Sequence, residues 1–224
     1  MDTTWLTVLW IVQDIAMVVA LVIFATTSRA GRKKFEMIGW LLTVGILAET
    51  ASTIGYYGFR ANVNWFNTAY DLFVTPIYFL FYKTKINSLK TIAVMRILMF
   101  ASIAFTVINA LFIQGVDDIG EYSKAFGAFV LMIYALIYFY TLMKDLPTQL
   151  VTRLPMFWIN ASVLIYYANM FLIYLLTEYV LTVLKGSIII TWMVHNIIGI
   201  AHYAMLSIGL WSNRSLYLPR SHTY

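Results

Sequence analysis

Cysteine is absent from the 224 residues, and charged residues make up only 11% of them. The lack of cysteine excludes a disulfide framework, a thiol nucleophile and a thiolate metal site. A soluble domain of this size carries roughly twice that share of charged residues. The composition therefore argues against a soluble protein with an ordinary polar surface.

Apolar residues account for 62% of the chain, and the mean hydropathy is +0.80. They form runs of about 20 residues, the length that crosses a hydrocarbon core of about 30 Å. Seven such runs cover residues 4–26, 36–58, 63–82, 91–113, 122–143, 155–178 and 187–211. Because the connections between them are short, we predict one all-α membrane domain over residues 1–224, a seven-transmembrane-helix bundle.

The basic residues are divided unequally between the two ends of this predicted bundle. Only Arg60, Lys124 and Lys185 fall at the end where the first helix begins. The other basic residues share the opposite end: Arg29, Arg32, Lys33, Lys34, Lys83, Lys85, Lys90, Arg96, Lys144, Arg153, Arg214 and Arg220. The positive-inside rule then predicts an outside N-terminus and a cytoplasmic C-terminus. This distribution favours a lipid bilayer over a nucleic acid as the partner of the basic surface.

Three carboxylates, those of Asp14, Glu49 and Asp71, lie within predicted spans. An ionisable group near the bilayer centre costs about 2.5–3.5 kcal/mol on insertion scales. Counted from the outer ends of their helices, these three residues and Asn169 and His195 all lie roughly 12–15 Å deep at 1.5 Å per residue. The sequence therefore predicts one polar layer that lines a cavity in the outer half of the bundle.

Other polar side chains continue this layer at helical spacing on the same helix faces. The predicted ligand-binding residues are Asp14, Glu49, Ser52, Asp71, Tyr78, Tyr166, Asn169, His195 and Asn196. The alternative is that these groups only hydrogen-bond helices to one another, as polar side chains commonly do in membranes. That alternative explains the serine and the tyrosines better than it explains three carboxylates and a histidine at one depth.

His195 and His202 are seven residues apart and return to nearly the same face of the last helix. They stand about 10 Å apart along the axis, whereas metal–nitrogen bonds are about 2 Å long. The two rings are therefore not expected to share one metal ion. We predict no metal site, and we also predict no cofactor. His195 belongs to the polar layer, and we expect His202 to hydrogen-bond between helices near Tyr203 or Tyr138.

Two segments carry a resemblance to a known group of proteins. They are "ILAETASTIGYYGFRANVNWFNTAYDLFVTPIYFLFYKTK" and "HNIIGIAHYAMLSIGLW". The chain resembles small seven-helix proteins of bacterial inner membranes, in which a helix 2 glutamate precedes an Asn/Tyr-rich third helix. In those proteins helix 7 also has a His-Asn pair followed by an aromatic residue and "GLW". The resemblance implies this architecture and a multi-pass location in the bacterial inner (plasma) membrane, and it implies no activity.

Three classes of function fit these features. We expect a buried acidic and histidine cavity that binds a small or lipid-like ligand in a sensory or receptor-like role, with a partner membrane protein at the basic loops. The alternative is an intramembrane hydrolase or cyclase acting on a lipid or isoprenoid, with Glu49, Asp71 and His195 as catalytic residues. A proton-coupled transporter is the third, although transporters often contain internal repeats and this chain shows none.

Overall fold

The computed structural model describes residues 3–145, 151–182 and 188–216, and the regular structure in these ranges is entirely helical. The prediction of an all-helical protein is therefore confirmed. Lys185 and Arg220, which contribute to the charge distribution between the two ends, lie outside the described residues.

Seven long helices and one short helix follow one another along the described ranges. The helices are α1 Thr3–Thr26, α2 Arg29–Lys34, α3 Glu36–Thr53, α4 Asn64–Lys83, α5 Leu89–Ile108, α6 Glu121–Asp145, α7 Pro155–Thr182 and α8 Ile188–Leu216. A π-helical turn, Ile54–Gly58, continues α3, and a second one, Asn109–Ile113, continues α5. Each long helix occupies one of the seven predicted apolar segments, and only α2 is short.

Six of the described helices are long and apolar enough to cross a membrane: α1, α3 with its π-turn, α5 with its π-turn, α6, α7 and α8. The protein is therefore a multi-pass membrane protein. The remaining long helix, α4, is the most polar because Asn64, Asn67 and Asp71 occupy its first half. Those same side chains make α4 the natural candidate to face a polar interior rather than lipid.

The seven long helices pack in chain order as a closed ring. Each contacts the next, α1 also contacts α8, and α4 also contacts α6 across the ring. The ring has an amino-terminal end, where α1 begins, and a basic end, where α1 stops and α2 follows. Closure matters because a ring of helices leaves an interior that the lipid does not reach.

The half of the ring toward the basic end is tightly packed. Its centre is a cluster of fully buried side chains that includes Phe35, Tyr82, Tyr134 and Ile159. The Tyr82 hydroxyl donates to Asn160 Oδ1 over 2.6 Å, and the Tyr134 hydroxyl donates to a backbone carbonyl of α5 over 2.6 Å. These bonds let buried tyrosines fill the core without leaving their hydroxyl groups unsatisfied.

Candidate functional site

The half of the ring toward the amino-terminal end encloses a cavity of about 490 Å³, called here the central cavity. All seven long helices contribute side chains to its wall. A volume of this size lies within the range of about 300–1,000 Å³ that small-molecule sites occupy. The packed core of the basic half closes the cavity on the side toward the basic end.

Most of the residues predicted to bind a ligand lie on the wall of the central cavity. They are Glu49, Ser52, Asp71, Tyr78, Tyr166, His195 and Asn196. They come from four helices, α3, α4, α7 and α8, that the ring brings face to face. Their role in binding a ligand stays a prediction.

Asp14 and Asn169 are not among the side chains that line this wall, unlike Glu49, Asp71 and His195, and their role in binding a ligand stays a prediction. Depth along a helix does not determine the direction in which a side chain points, and neighbouring residues differ by about 100° in direction. Asp14 follows Gln13, and Asn169 precedes Met170, and in each case the neighbour faces the cavity. Asn169 instead donates through Nδ2 to the carbonyl oxygen of Ile165 in its own helix.

Glu49 accepts a hydrogen bond from the indole nitrogen of Trp10, with 2.7 Å between Nε1 and Oε1. The small residues Gly45, Ala48 and Ser52 lie beside it on the cavity-facing side of α3. Trp10 belongs to a helical stripe, Trp10, Gln13 and Met17, by which α1 reaches the cavity. Glu49 is thus held in place by a neutral donor, and it forms no ion pair among the described residues.

Asp71 is paired with Lys124, whose Nζ lies 3.9 Å from Asp71 Oδ2. The Lys124 side chain is 11% exposed and that of Asp71 30%, so both are largely removed from the surface. Sequence reasoning placed Lys124 among the outer loop charges and missed this contact. The available signal was its helical spacing with Gly127, Ala128 and Leu131, which also line the cavity.

His195 forms no ion pair with the carboxylates among the described residues. Its Nδ1 lies 3.1 Å from Met170 Sδ, and its ring packs edge-on against Trp192 and Tyr166. The cation that reaches Asp71 is Lys124 of α6. His195 contributes an aromatic and polar edge to the wall rather than a counter-ion.

His202 joins two helices, as predicted, although its partner is different. Its Nδ1 lies 3.1 Å from the carbonyl oxygen of Ser162 in α7 and must therefore carry the hydrogen and donate. The ring also packs against Tyr166 and Tyr203, with centroids 4.6 Å and 5.1 Å apart. The histidine thus stabilises the contact between α7 and α8 at the floor of the cavity.

The cavity is polar toward the amino-terminal end and apolar toward the packed core. Ser52 donates to Asn67 Oδ1 at 3.5 Å near the polar end. Aromatic side chains supply much of the wall between the two ends: Trp10, Tyr70, Tyr78, Tyr166, Tyr167, Tyr174, Trp192 and Tyr203. The floor includes the aliphatic side chains of the lining: Met17, Ile38, Leu41, Leu42, Leu131 and Leu206. Such a site matches a ligand with a polar head and an apolar body.

The charged groups of the cavity are two carboxylates and one ammonium group, those of Glu49, Asp71 and Lys124. Among the described residues, no three His, Asp or Glu side chains lie close enough together to hold a metal ion. The pairing of Lys124 with Asp71 leaves the Glu49 carboxylate as the charge best placed to meet a cationic group. Aromatic faces nearby would stabilise the same charge.

No protein-family model matches the chain, and neither a curated protein nor a solved structure matches it. The resemblance to small bacterial inner-membrane proteins therefore stays a prediction.

Proposed function

We propose that this protein is a seven-span receptor-like or sensory membrane protein whose central cavity binds a small amphipathic ligand with an amine head group. The observation that carries the proposal is the cavity of about 490 Å³ with Glu49 at its polar end and aliphatic side chains at its floor. The ammonium head would lie at Glu49, among the rings of Trp10, Tyr70 and Tyr166. The apolar body would extend toward Leu42, a distance of roughly 10 Å along α3 at 1.5 Å per residue.

The seven-span topology is part of this proposal. Helix α4 would cross the membrane within the ring, where its polar face meets the cavity and its neighbours α3, α5 and α6 shield it. The N-terminus would lie outside and the C-terminus in the cytoplasm, as the distribution of basic residues indicates. The membrane would be a bacterial inner membrane, as the resemblance implies. The polar end of the cavity would then face the outside.

Single cysteines at the two ends of the ring test the orientation, since the chain has no cysteine of its own. Val116 lies in the connection at the amino-terminal end and Asn87 in one at the basic end, and both are exposed. In intact cells, we expect a membrane-impermeant maleimide to label Val116→Cys but not Asn87→Cys. Both should react after the membrane is permeabilised. If only Asn87→Cys were labelled in intact cells, the orientation would be the opposite of the one proposed. If both variants were labelled, the topology would be refuted.

Three probes with the same apolar body test the ligand chemistry: octylamine, octanol and octanoate. A ligand that binds only the folded protein raises its unfolding midpoint, by an amount that grows with concentration over Kd. In detergent solution, we expect octylamine to raise the midpoint more than octanol and octanoate not to raise it. Glu49→Gln should abolish the octylamine effect because the amide lacks the charge that meets the ammonium group.

The matched control for this test is Glu36→Gln, the same substitution in the same helix at an exposed position near the basic end. This variant should keep the full octylamine response. Equal responses to all three probes, or an unchanged response in Glu49→Gln, would contradict the proposed ligand class. Conversion of octylamine, or its uptake into proteoliposomes, would favour the enzyme or the transporter instead.

A further inference from the structure

A second concave site lies at the basic end, on the outer surface of the ring and separate from the central cavity. This groove has a volume of about 780 Å³ and is formed by the end of α1, by α2 and by the first two turns of α3. Its lining residues are Phe24, Arg29, Arg32, Lys33, Glu36, Gly39, Trp40 and Thr43. None of these residues lines the central cavity.

The lower part of the groove follows one face of α3. Gly39, Trp40 and Thr43 follow Glu36 by three, four and seven residues, so the four share a stripe roughly 10 Å long. The Phe24 ring packs directly on Gly39, where a larger residue would leave it no room, and so forms the floor of the groove. Trp40 stands beside this floor and is 54% exposed. On a membrane protein such an outward apolar channel faces acyl chains.

The upper part of the groove carries the positive charge. Arg32 is already engaged, since its Nη1 donates to the carbonyl oxygens of Ala25 (2.7 Å) and Thr27 (3.0 Å) at the end of α1. Arg29 and Lys33 are exposed and lie four residues apart, hence on the same face of α2. The lining includes only one acidic side chain, Glu36. The two available cations therefore stand directly above the apolar channel.

We propose that this groove binds one anionic phospholipid, with its phosphate between Arg29 and Lys33 and one acyl chain along Phe24 and Trp40. Basic pockets beside membrane helices recognise anionic head groups in this way, and tryptophan favours the level where head groups meet acyl chains. The positive charges of Arg29 and Lys33 complement the anionic head group, and the apolar channel complements the acyl chain. This proposal does not depend on the ligand of the central cavity.

Trp40 reports directly on occupancy of the groove, because bromine on an acyl chain quenches a tryptophan that it contacts. The protein is reconstituted in phosphatidylcholine vesicles that contain either brominated phosphatidylglycerol or brominated phosphatidylcholine. The emission of Trp40 is obtained as the difference between the wild type and Trp40→Phe. We expect phosphatidylglycerol to quench Trp40 more strongly than phosphatidylcholine at equal content.

The double variant Arg29→Gln/Lys33→Gln should remove this preference, with a loss of about fivefold in relative affinity for each cation. The matched control is Lys83→Gln/Lys90→Gln, which removes the same charge from exposed positions at the same end but outside the groove. Lys85 is unsuitable as a control because it donates to the carbonyl oxygen of Lys34, and burial and the Lys34 charge lower its pKa. The control variant should keep the preference.

Thr43→Phe supplies a second test, because it fills the far end of the channel and leaves every charge in place. We expect it to reduce quenching of Trp40 by both brominated lipids. Equal quenching of Trp40 by the two lipids in the wild type would overturn the proposal. An equal loss of preference in both double variants would also overturn it, since diffuse surface charge would then suffice.

Discussion

We expect Gly209→Ala to lower the free energy of unfolding by about 2 kcal/mol, the typical cost of one extra methyl group in a filled interior. A Cβ at this position would lie 2.7 Å from Ile159 Cγ1 and 2.9 Å from the carbonyl oxygen of Pro155. The side chain of Ile159 could rotate away, but the backbone oxygen can move only with α7. The methyl group would therefore push α7 and α8 apart.

Gly127→Ala is the matched control for this prediction. A Cβ there would meet only Ser102 Oγ, at 3.7 Å, which is ordinary van der Waals contact. Alanine also favours helix over glycine by up to about 1 kcal/mol. Thermal unfolding in detergent should thus show a lower midpoint for Gly209→Ala and a midpoint at or above that of the wild type for Gly127→Ala. A Gly209→Ala midpoint equal to that of the wild type would mean that α7 and α8 do not pack this closely.

The second large change in the free energy of unfolding is expected when the ion pair inside the bundle is broken. Lys124→Met should lower the free energy of unfolding by about 3 kcal/mol, because removing one partner leaves an uncompensated charge away from water. Asp71 forms its ion pair with Lys124, and its Oδ2 is buried without a hydrogen bond. This expected loss of stability is at the lower end of the usual range for a broken buried ion pair, because the Asp71 side chain is 30% exposed.

A double-mutant cycle separates this effect from lost packing around the lysine stem. In Lys124→Met/Asp71→Asn neither position carries a charge, so we expect the midpoint to recover most of the way to that of the wild type. Asp71→Asn alone should cost less than Lys124→Met, since a lysine can extend its amine toward water. The surface substitution Lys90→Met controls for loss of positive charge and should have little effect. A double variant as unstable as the sum of the single variants would show that the pair is not coupled.

The seven helical segments could be read from the chain alone. The apolar run over 36–58, for example, corresponds to α3 Glu36–Thr53 with the π-turn Ile54–Gly58. The predicted start at residue 155 is the first residue of α7, where proline is tolerated because its missing N–H has no helical partner. Such features depend on neighbouring residues and on the length of hydrocarbon to be crossed, and both are local properties of the sequence.

The composition of the site could be predicted only in part. Glu49, Asp71 and His195 lie on the cavity wall, because a charged group in a membrane helix is stable only where it avoids lipid. The same argument did not predict that Asp14 and Asn169 are absent from the lining of the cavity. Depth can be counted along one helix, whereas the direction of a side chain toward the cavity depends on how that helix is rotated against its neighbours.

The pairing of side chains from distant segments was decided by the tertiary structure. Lys124 and Asp71 are separated by more than 50 positions, and no local pattern indicates that the first turn of α6 faces the first half of α4. The direct contact between α4 and α6 brings them together, and the contact between α1 and α3 brings Trp10 to Glu49. Closure of the ring through α1 and α8 places both pairs on one interior. That closure also divides the bundle into a packed half at the basic end and a hollow half at the amino-terminal end. Hydropathy cannot distinguish the two halves, because it depends on composition, whereas a cavity depends on the volumes of side chains that meet from seven helices at once.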